Sequence, residues 1–291
     1  MQILDGRPVR DAVLDELAQR VEKARRAPGL AVVLVGDDPA SRVYVRNKEK
    51  GCVRTGYHHE THRLPAETSE EEVLKLVGSL NEDDRIDGIL VQMPLPDHID
   101  DDRVLQAVDP DKDVDGFHPY NLGLLVAGTP RTVACTPKGV LRLLEYYKIP
   151  IQGRKVAVVG RSVIVGRPMS LLFNLKGALG DATVTMCHSR TPDLPAVTRQ
   201  ADILVAALGF PELLGRDHVA PGAVVIDVGI NRVEDASAKK GYRLTGDVAA
   251  AEMEGHASAL TPVPGGVGPM TIAMLLENTW DAMMRREARR G

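Results

Sequence analysis

The sequence predicts an α/β protein of two domains, each built on a largely parallel sheet, and three observations carry that prediction. Short, continuous apolar runs such as LAVVLVG (30–36) and KVAVVG (155–160) read as strands buried on both faces. Amphipathic stretches of helical period alternate with such runs along the chain, which is the order of βαβ units. At 291 residues the chain is long enough for two cores.

Taken in order, VRDAVLDELAQRVEKARR has apolar residues at helical spacing, LAVVLVG is the first buried strand, and residues 40–55 read as a helix before a strand near 58–64. SEEEVLKLVGSLN is a helix with Ser69 as N-cap and acids in its first turn. IDGILVQMPLP is a buried strand that stops at Pro94, which completes a first sheet. The Gly-, Pro- and Thr-rich stretch NLGLLVAGTPRTVACTP reads as a loop, and Thr136 and Pro137 as N-cap and first residue of the helix KGVLRLLEYYKI. Beyond it, the strands KVAVVG, TVTMCHS, DILVAAL and AVVIDVG with helical crossovers describe a doubly wound sheet, and a last helix runs over about 269–289. The expected division is a first domain over 1–120, completed by a C-terminal helix 269–291, and a nucleotide-binding domain over 138–268.

Composition excludes several classes. A hydrophobic content of 44% with 26% charged residues fits a soluble globular protein, and a net charge of −4 gives no general pull toward nucleic acid or anionic membrane. No stretch approaches the length of apolar sequence that spans a bilayer, and MQILDGRPVRDAVLDEL has neither a signal core nor the acid-poor character of a presequence. Cys52, Cys135 and Cys187 are odd in number and far apart, so free thiols in a reducing cytoplasm, with no metal site, are expected.

Three motifs carry chemistry. In SRVYVRNKEKGC (41–52), Tyr44 and Lys48 lie four residues apart on a predicted helix, on one face and about 6 Å apart along its axis. A solvated face, with the lysine stem over the ring, explains the pair by itself; a lysine tuned for proton transfer is the sharper reading. KVAVVGRSVIVGRPMSLLF sets Gly160 and Gly166 between a buried strand and a helix, where free amide groups can hold a pyrophosphate. Ser162 stands where the second glycine of the usual pattern would be. After the next strand, CHSRT offers Ser189 and Arg190 where a carboxylate would select a free 2′-hydroxyl, and Arg161 waits in the first loop, so NADP is favoured over NAD. TPVPGGVGPMT is a stiff Gly- and Pro-rich loop with exposed amides, and Pro269 suits a helix start.

With these residues in view, the chain resembles the bifunctional methylenetetrahydrofolate dehydrogenase/methenyltetrahydrofolate cyclohydrolase family. VGDDPASRVYVRNKEKGCVRTGY, GILVQMPLP, DKDVDGFHPYNLG, CTPKG, VVGRSVIVGRPM, CHSRT, DVGIN, GDV and PVPGGVGPMT occur in the family's order over nearly the full length. The resemblance implies a catalytic folate domain and a Rossmann-like NADP-binding domain with a cleft between them. Lys48 would be the catalytic lysine, Gln92 the side chain that assists it, and Asp115 the carboxylate that holds the amino-pyrimidine edge of the pterin. Ser41, Tyr44, Gly265, Gly266 and Pro269 would bind the folate. Gly160, Arg161, Ser162, Gly166, Ser189 and Arg190 would bind NADP, with Ile230 near the nicotinamide. A cytoplasmic homodimer serving purine biosynthesis, with tetrahydrofolate derivatives as substrates, is also implied.

Ala134, Leu208 and the histidine-rich GYHHETHRLP depart from the family pattern but touch no catalytic position. Short-chain dehydrogenases also use a Tyr-x-x-x-Lys pair, but there the glycine loop precedes the pair; here the pair at 44 and 48 comes before the loop at 160. A single-activity relative or a nucleotide-sensing scaffold would be expected to lose Lys48 or Asp115, and both are present.

Overall fold

The computed structural model describes residues 1–238 and 241–290; residue 291 of the expected last helix and residues 239 and 240 of the expected nucleotide domain lie outside the described residues. The chain opens with β1 (Gln2–Ile3), α1 (Gly6–Glu22), β2 (Gly29–Val35), α2 (Pro39–Thr55), β3 (His58–Leu64), α3 (Glu70–Glu82) and β4 (Gly88–Val91). Two short helices, α4 (Asp101–Ala107) and α5 (Pro119–Val126), lead to α6 (Cys135–Tyr146). Then come β5 (Lys155–Val159), α7 (Gly166–Asn174), β6 (Thr183–Cys187), α8 (Leu194–Thr198), β7 (Ile203–Ala206) and β8 (Val224–Asp227). A hairpin of β9 (Asn231–Glu234) and β10 (Tyr242–Thr245), the short β11 (Ala259–Leu260) and the long α9 (Gly268–Arg290) complete the chain.

Two compact units result. One comprises Asp11–Cys135 and the chain from Ile272 onward. Its sheet has the order β3-β2-β4, all parallel, with β2 buried along its whole length. Val73, Val77 and Leu80 of α3 cover Ala31, Val33, Ile89 and Val91, each buried side chain stabilising the fold by about 1.5–3 kcal/mol. Ser69 caps α3 as predicted: its hydroxyl accepts from the Glu72 amide while the Glu72 carboxylate accepts from the Ser69 amide. Tyr57, after α2, donates its hydroxyl to the Leu276 carbonyl of α9 at 2.9 Å. Gly51 of α2 meets the same helix, where an added Cβ would lie 3.1 Å from both Ile272 and Leu276.

The other unit comprises Met1–Arg10 and Thr136–Thr271. Its sheet is six-stranded and parallel throughout, in the order β1-β11-β8-β7-β5-β6. The chain leaves β5 to one side for β6 and returns on the other side as β7, so the switch point, where open α/β sheets bind ligands, lies beyond the carboxyl ends of β5 and β7.

The expected boundaries need four corrections. Residues 1–10 belong with the nucleotide-type sheet and not with the first domain, because β1 pairs in parallel with β11 and the Leu4 amide donates to the Leu260 carbonyl at 2.9 Å. The expected final helix divides, with Gly268–Thr271 in one unit and Ile272 onward in the other. NLGLLV is not loop but the body of α5, whose N-cap is His118: its Nδ1 accepts from the Tyr120 amide at 3.0 Å. Helix α6 begins at Cys135, so Thr136 lies inside it.

Candidate active site

Helix α2 is fixed at both ends. Asp38 caps it by accepting from the Ser41 amide at 2.7 Å, Pro39 supplies its first turn, and Gly56 closes it in the left-handed conformation at φ 74°. Val45 and Cys52 bury its inner side together with Ser41, while Tyr44 keeps its ring largely exposed. Lys48, one turn beyond Tyr44, is half-buried, and its Nζ donates to Gln92 Oε1 at 2.8 Å. Gln92 extends the ladder at the end of β4, its amide donating to the Val33 carbonyl at 2.8 Å. Its Nε2 donates to the Met93 carbonyl at 2.7 Å, which leaves the side-chain oxygen to face the lysine. Burial pushes the Lys48 pKa down, opposed by the field of Asp115 and by Cys135. Desolvation of the charged form is the cause, and it suits a lysine that moves protons.

DKDVDG separates into four different jobs. Asp111 pairs with Arg131 and Arg289. Lys112 is almost fully enclosed, donates to the Leu80 and Asp83 carbonyls at 2.8 and 2.7 Å, and is pushed down to about 8 by burial. Asp113 accepts from the Gly116 and His118 amides and from Asn121 Nδ2, at 2.9, 3.0 and 2.9 Å, and so folds the turn. Asp115 makes no ion pair among the described residues and is not tied into the turn as Asp113 is; the thiol of Cys135 lies 4.0 Å from its Oδ1. Burial raises its carboxyl to about 6, opposed by Lys48 and reinforced by Asp113.

The turn holding Asp115 is braced by backbone contacts. Gly116 has φ 76°, and a Cβ there would lie 2.5 Å from the Ala134 amide nitrogen, so only glycine fits. Asn278 of α9 donates from Nδ2 to the Val114 and Val133 carbonyls, both at 2.9 Å. Neither Cys135 nor Asn278 was singled out for this site from the sequence: one read as an ordinary thiol and the other as an ordinary helix residue.

Lys48, Gln92, Asp115 and Cys135 thus gather in one unit: a desolvated amine steered by a neutral amide, and a carboxylate whose hydrogen-bonding capacity is largely unspent. Since Asp115 accepts hydrogen bonds fully only when ionised, a ligand held by it should bind less well as pH falls through about 6. The expected result is a rise in the KM for such a ligand below that pH. In Asp115→Asn the KM should be about a hundredfold higher and flat with pH, read from initial rates between pH 5 and 8.

In the other unit, Gly160 follows β5 at φ 134°, and a Cβ there would fall 2.2 Å from the Ala207 carbonyl oxygen. A Cβ on Gly166 would fall 2.2 Å from the Gly160 oxygen, so both glycines are required for α7 to start against the strand. Ser162, between them, accepts on Oγ from the Val165 and Gly166 amides at 3.2 and 3.4 Å. After β6, His188 and Thr191 close a turn through the His188 amide on Thr191 Oγ1 (2.9 Å) and the Arg190 amide on His188 Nδ1 (3.1 Å), leaving Ser189 and Arg190 exposed. The nearest carboxylate, Asp193, is committed to capping α8 through the Ala196 amide at 3.2 Å. Arg161, Ser162, Ser189 and Arg190 are all exposed, and guanidiniums and hydroxyls are the donors that suit a 2′-phosphate. Ile230 is exposed in the turn between β8 and β9.

Gly265, Gly266 and Pro269 lie in this second unit. The Gly6 amide donates to the Gly265 carbonyl at 2.9 Å, the Gly266 amide to the Pro262 carbonyl at 2.7 Å, and Pro269 sits in the first turn of α9. A cavity of about 310 Å³, lined by Pro150, Arg154, Asp202, Pro221 and Ser258, opens at the amino ends of β5, β7 and β8. That is the wrong end of a parallel sheet for a dinucleotide. Among the described residues, no group of three His, Cys, Asp or Glu is arranged to hold a metal ion, and no helix is long and apolar enough to cross a membrane.

Comparison with known proteins places both units. The family model described as "Tetrahydrofolate dehydrogenase/cyclohydrolase, catalytic domain" matches residues 4–115, and "Tetrahydrofolate dehydrogenase/cyclohydrolase, NAD(P)-binding domain" matches residues 134–287. The chain is 53% identical over 291 residues to the bifunctional protein FolD of Chlorobium chlorochromatii, covering 98% of this chain and 99% of that relative. The crystal structure of the FolD methylenetetrahydrofolate dehydrogenase/cyclohydrolase from Campylobacter jejuni superposes with a TM-score of 0.91 at 44% identity, over 98% of this chain and 99% of that one. The Trypanosoma brucei enzyme, complexed with NADP cofactor and inhibitor, does so with a TM-score of 0.90 at 40% identity, over 98% of each chain.

Proposed function

This chain belongs to the tetrahydrofolate dehydrogenase/cyclohydrolase family, and from that premise we propose how its residues divide two consecutive reactions. The enzyme oxidises 5,10-methylenetetrahydrofolate to 5,10-methenyltetrahydrofolate with NADP+ and hydrolyses the product to 10-formyltetrahydrofolate. One observation carries the residue assignment: the desolvated Lys48 amine, held by Gln92 at 2.8 Å, shares its field with Asp115.

When bound, NADP+ supplies the acceptor for the hydride that leaves the one-carbon bridge. Arg161, Ser162, Ser189 and Arg190 would hold its phosphates, the Gly160 and Gly166 turn would let the backbone approach them, and Ile230 would border the nicotinamide. Asp115 accepts from the pterin's amino-pyrimidine edge and fixes the ring, with Tyr44 as a wall beside it and Ser41 in a supporting contact. In the hydrolytic step water adds to the methenyl carbon. Lys48, whose charged form burial disfavours, takes one of the water's protons and returns it to the ring nitrogen as the carbon–nitrogen bond breaks, while the remaining hydroxyl proton passes to solvent as the formyl C=O forms. Gln92 holds the amine in place without adding charge.

In the same reading the protein is a cytoplasmic homodimer that provides formyl groups for purine biosynthesis. The exposed side chains of the edge strand β6, Thr183, Thr185 and Met186, support a face for a second copy on the nucleotide unit. Initial rates with methylenetetrahydrofolate and either NADP+ or NAD+ test the cofactor assignment. The expected outcome is kcat/KM at least about tenfold higher with NADP+, a preference that Arg190→Ala should narrow. Equal use of the two cofactors would remove the 2′-phosphate role from Arg190 and Ser189.

A further inference from the structure

The nucleotide unit buries a second pair of carboxylates, which the reactions described above do not use. Asp227 ends β8 and Asp247 follows β10; both are shielded from solvent, Asp247 completely. Asp247 Oδ2 accepts from the Leu208 and Gly209 amides at 2.6 and 3.1 Å, and Oδ1 from the Phe210 amide at 3.1 Å and from Asn231 Nδ2 at 2.8 Å. Three successive backbone amides and one side-chain amide therefore converge on a single carboxylate, an anion nest filled by the protein itself. Asp227 secures this arrangement from behind. Its Oδ1 accepts from the Gly229 and Asp247 amides, both at 3.0 Å, and its Oδ2 from the Val248 amide at 2.9 Å. The packing tolerates no side chain at the neighbouring glycines: a Cβ on Gly229 would lie 2.3 Å from the Asp247 carboxyl, and one on Gly246 would lie 1.9 Å from Asp227 Oδ2.

The location of the pair is more informative than the bonds. Residues 208–210 leave the carboxyl end of β7 and residues 228–231 leave the carboxyl end of β8, adjacent strands on the ligand side of a parallel sheet. The two segments tied to Asp247 carry Phe210 and Ile230, large apolar side chains that are 61% and 53% exposed. Both side chains stand in water on segments that one buried carboxylate holds in place, at the carboxyl ends of adjacent strands, where a bound apolar ring would cover them. We propose that Asp247 is a positioning residue for hydride transfer, holding Phe210 and Ile230 where the nicotinamide ring seats. This rests on the reading that the unit binds NADP.

The test uses the full-length enzyme with two substitutions. Asp247→Asn keeps the volume but turns an NH2 group toward N–H donors. Asn231→Ala removes only the tether to the Ile230 turn, and it decides the matter if Asp247→Asn does not fold. Each is assayed for hydride transfer to NADP+, for binding of adenosine 2′,5′-bisphosphate, and for hydrolysis of methenyltetrahydrofolate, which needs no cofactor. Expected are a fall in hydride-transfer kcat of about tenfold or more for Asp247→Asn and about threefold for Asn231→Ala. Bisphosphate affinity and hydrolysis should stay within about twofold of wild type. Unchanged hydride transfer in the folded variants overturns the proposal. So does a parallel loss of all three readouts in Asn231→Ala, since that would make the cluster structural only. Failure of the underlying reading is separate: it would show in the wild-type enzyme, as absent NADP+ reduction or absent bisphosphate binding, and would take this proposal with it.

Discussion

Lys48→Ala is expected to lower hydrolysis of methenyltetrahydrofolate by about 10²- to 10⁴-fold, the usual worth of a positioned acid–base group, while hydride transfer falls by about tenfold or less. The split follows from the chemistry of the two steps. Hydride transfer moves no proton and needs only approach and orientation, whereas ring opening must take a proton from water and deliver one to nitrogen. Within this unit Lys48 is the desolvated amine bonded to Gln92 and sharing a field with Asp115, so no neighbour described in that cluster replaces it. Gln92→Ala should show a weaker form of the same asymmetry, because it releases the amine without removing it. Stopped-flow decay of the methenyl absorbance against NADPH formation reads both rates on one preparation. Equal, mild losses in the two would strip Lys48 of its assigned role.

Asp87→Ala is expected to cost about 3–5 kcal/mol of stability, the range for a buried ion pair deprived of one partner. The Asp87 side chain is completely buried at the start of β4. It receives Arg26 through Nη1 and Nη2 at 2.6 and 2.7 Å, Arg286 through Nη1 at 2.7 Å, and the Gly29 amide at 3.0 Å. Alanine would leave two guanidiniums facing each other around a small void. Arg26 would retain Glu287, and Arg286 would retain the exposed Asp84. Thermal unfolding should show a drop on the order of 10 °C. By contrast, removing Asp83, which is half-buried and pairs with the exposed Arg85, should move the transition far less.

The sequence was most legible where one local rule was sufficient. β2 and β5 announced themselves as continuous apolar runs, α3 by its Ser69 cap and the acids of its first turn, and the start of α9 by Pro269. It was least legible where the deciding partner is remote. β1 and β11 are two residues each, too short for any periodicity, and they exist because opposite ends of the chain pair. Helix α5 hid behind glycine and an unusual histidine cap. At the site, the resemblance located Lys48, Gln92 and Asp115, but four ionisable residues in DKDVDG look alike in one dimension. Only their surroundings tell the turn-former Asp113 from the unspent Asp115. Asn278 and Asp247 act through bonds to backbone groups of segments far from them in the chain, a relation with no local signature.

Both units are assembled from separated stretches of chain, and this bears on how the protein leaves the ribosome. The first strand of the six-stranded sheet must wait for residues 259 and 260 before it has a partner. The Asp87 carboxylate must wait for Arg286, about two hundred residues further along the chain, before its second guanidinium is in place. Vectorial synthesis therefore cannot finish either unit from its first stretch alone, and the nascent chain carries an unpaired strand and an incompletely bonded carboxylate until the later stretches are made.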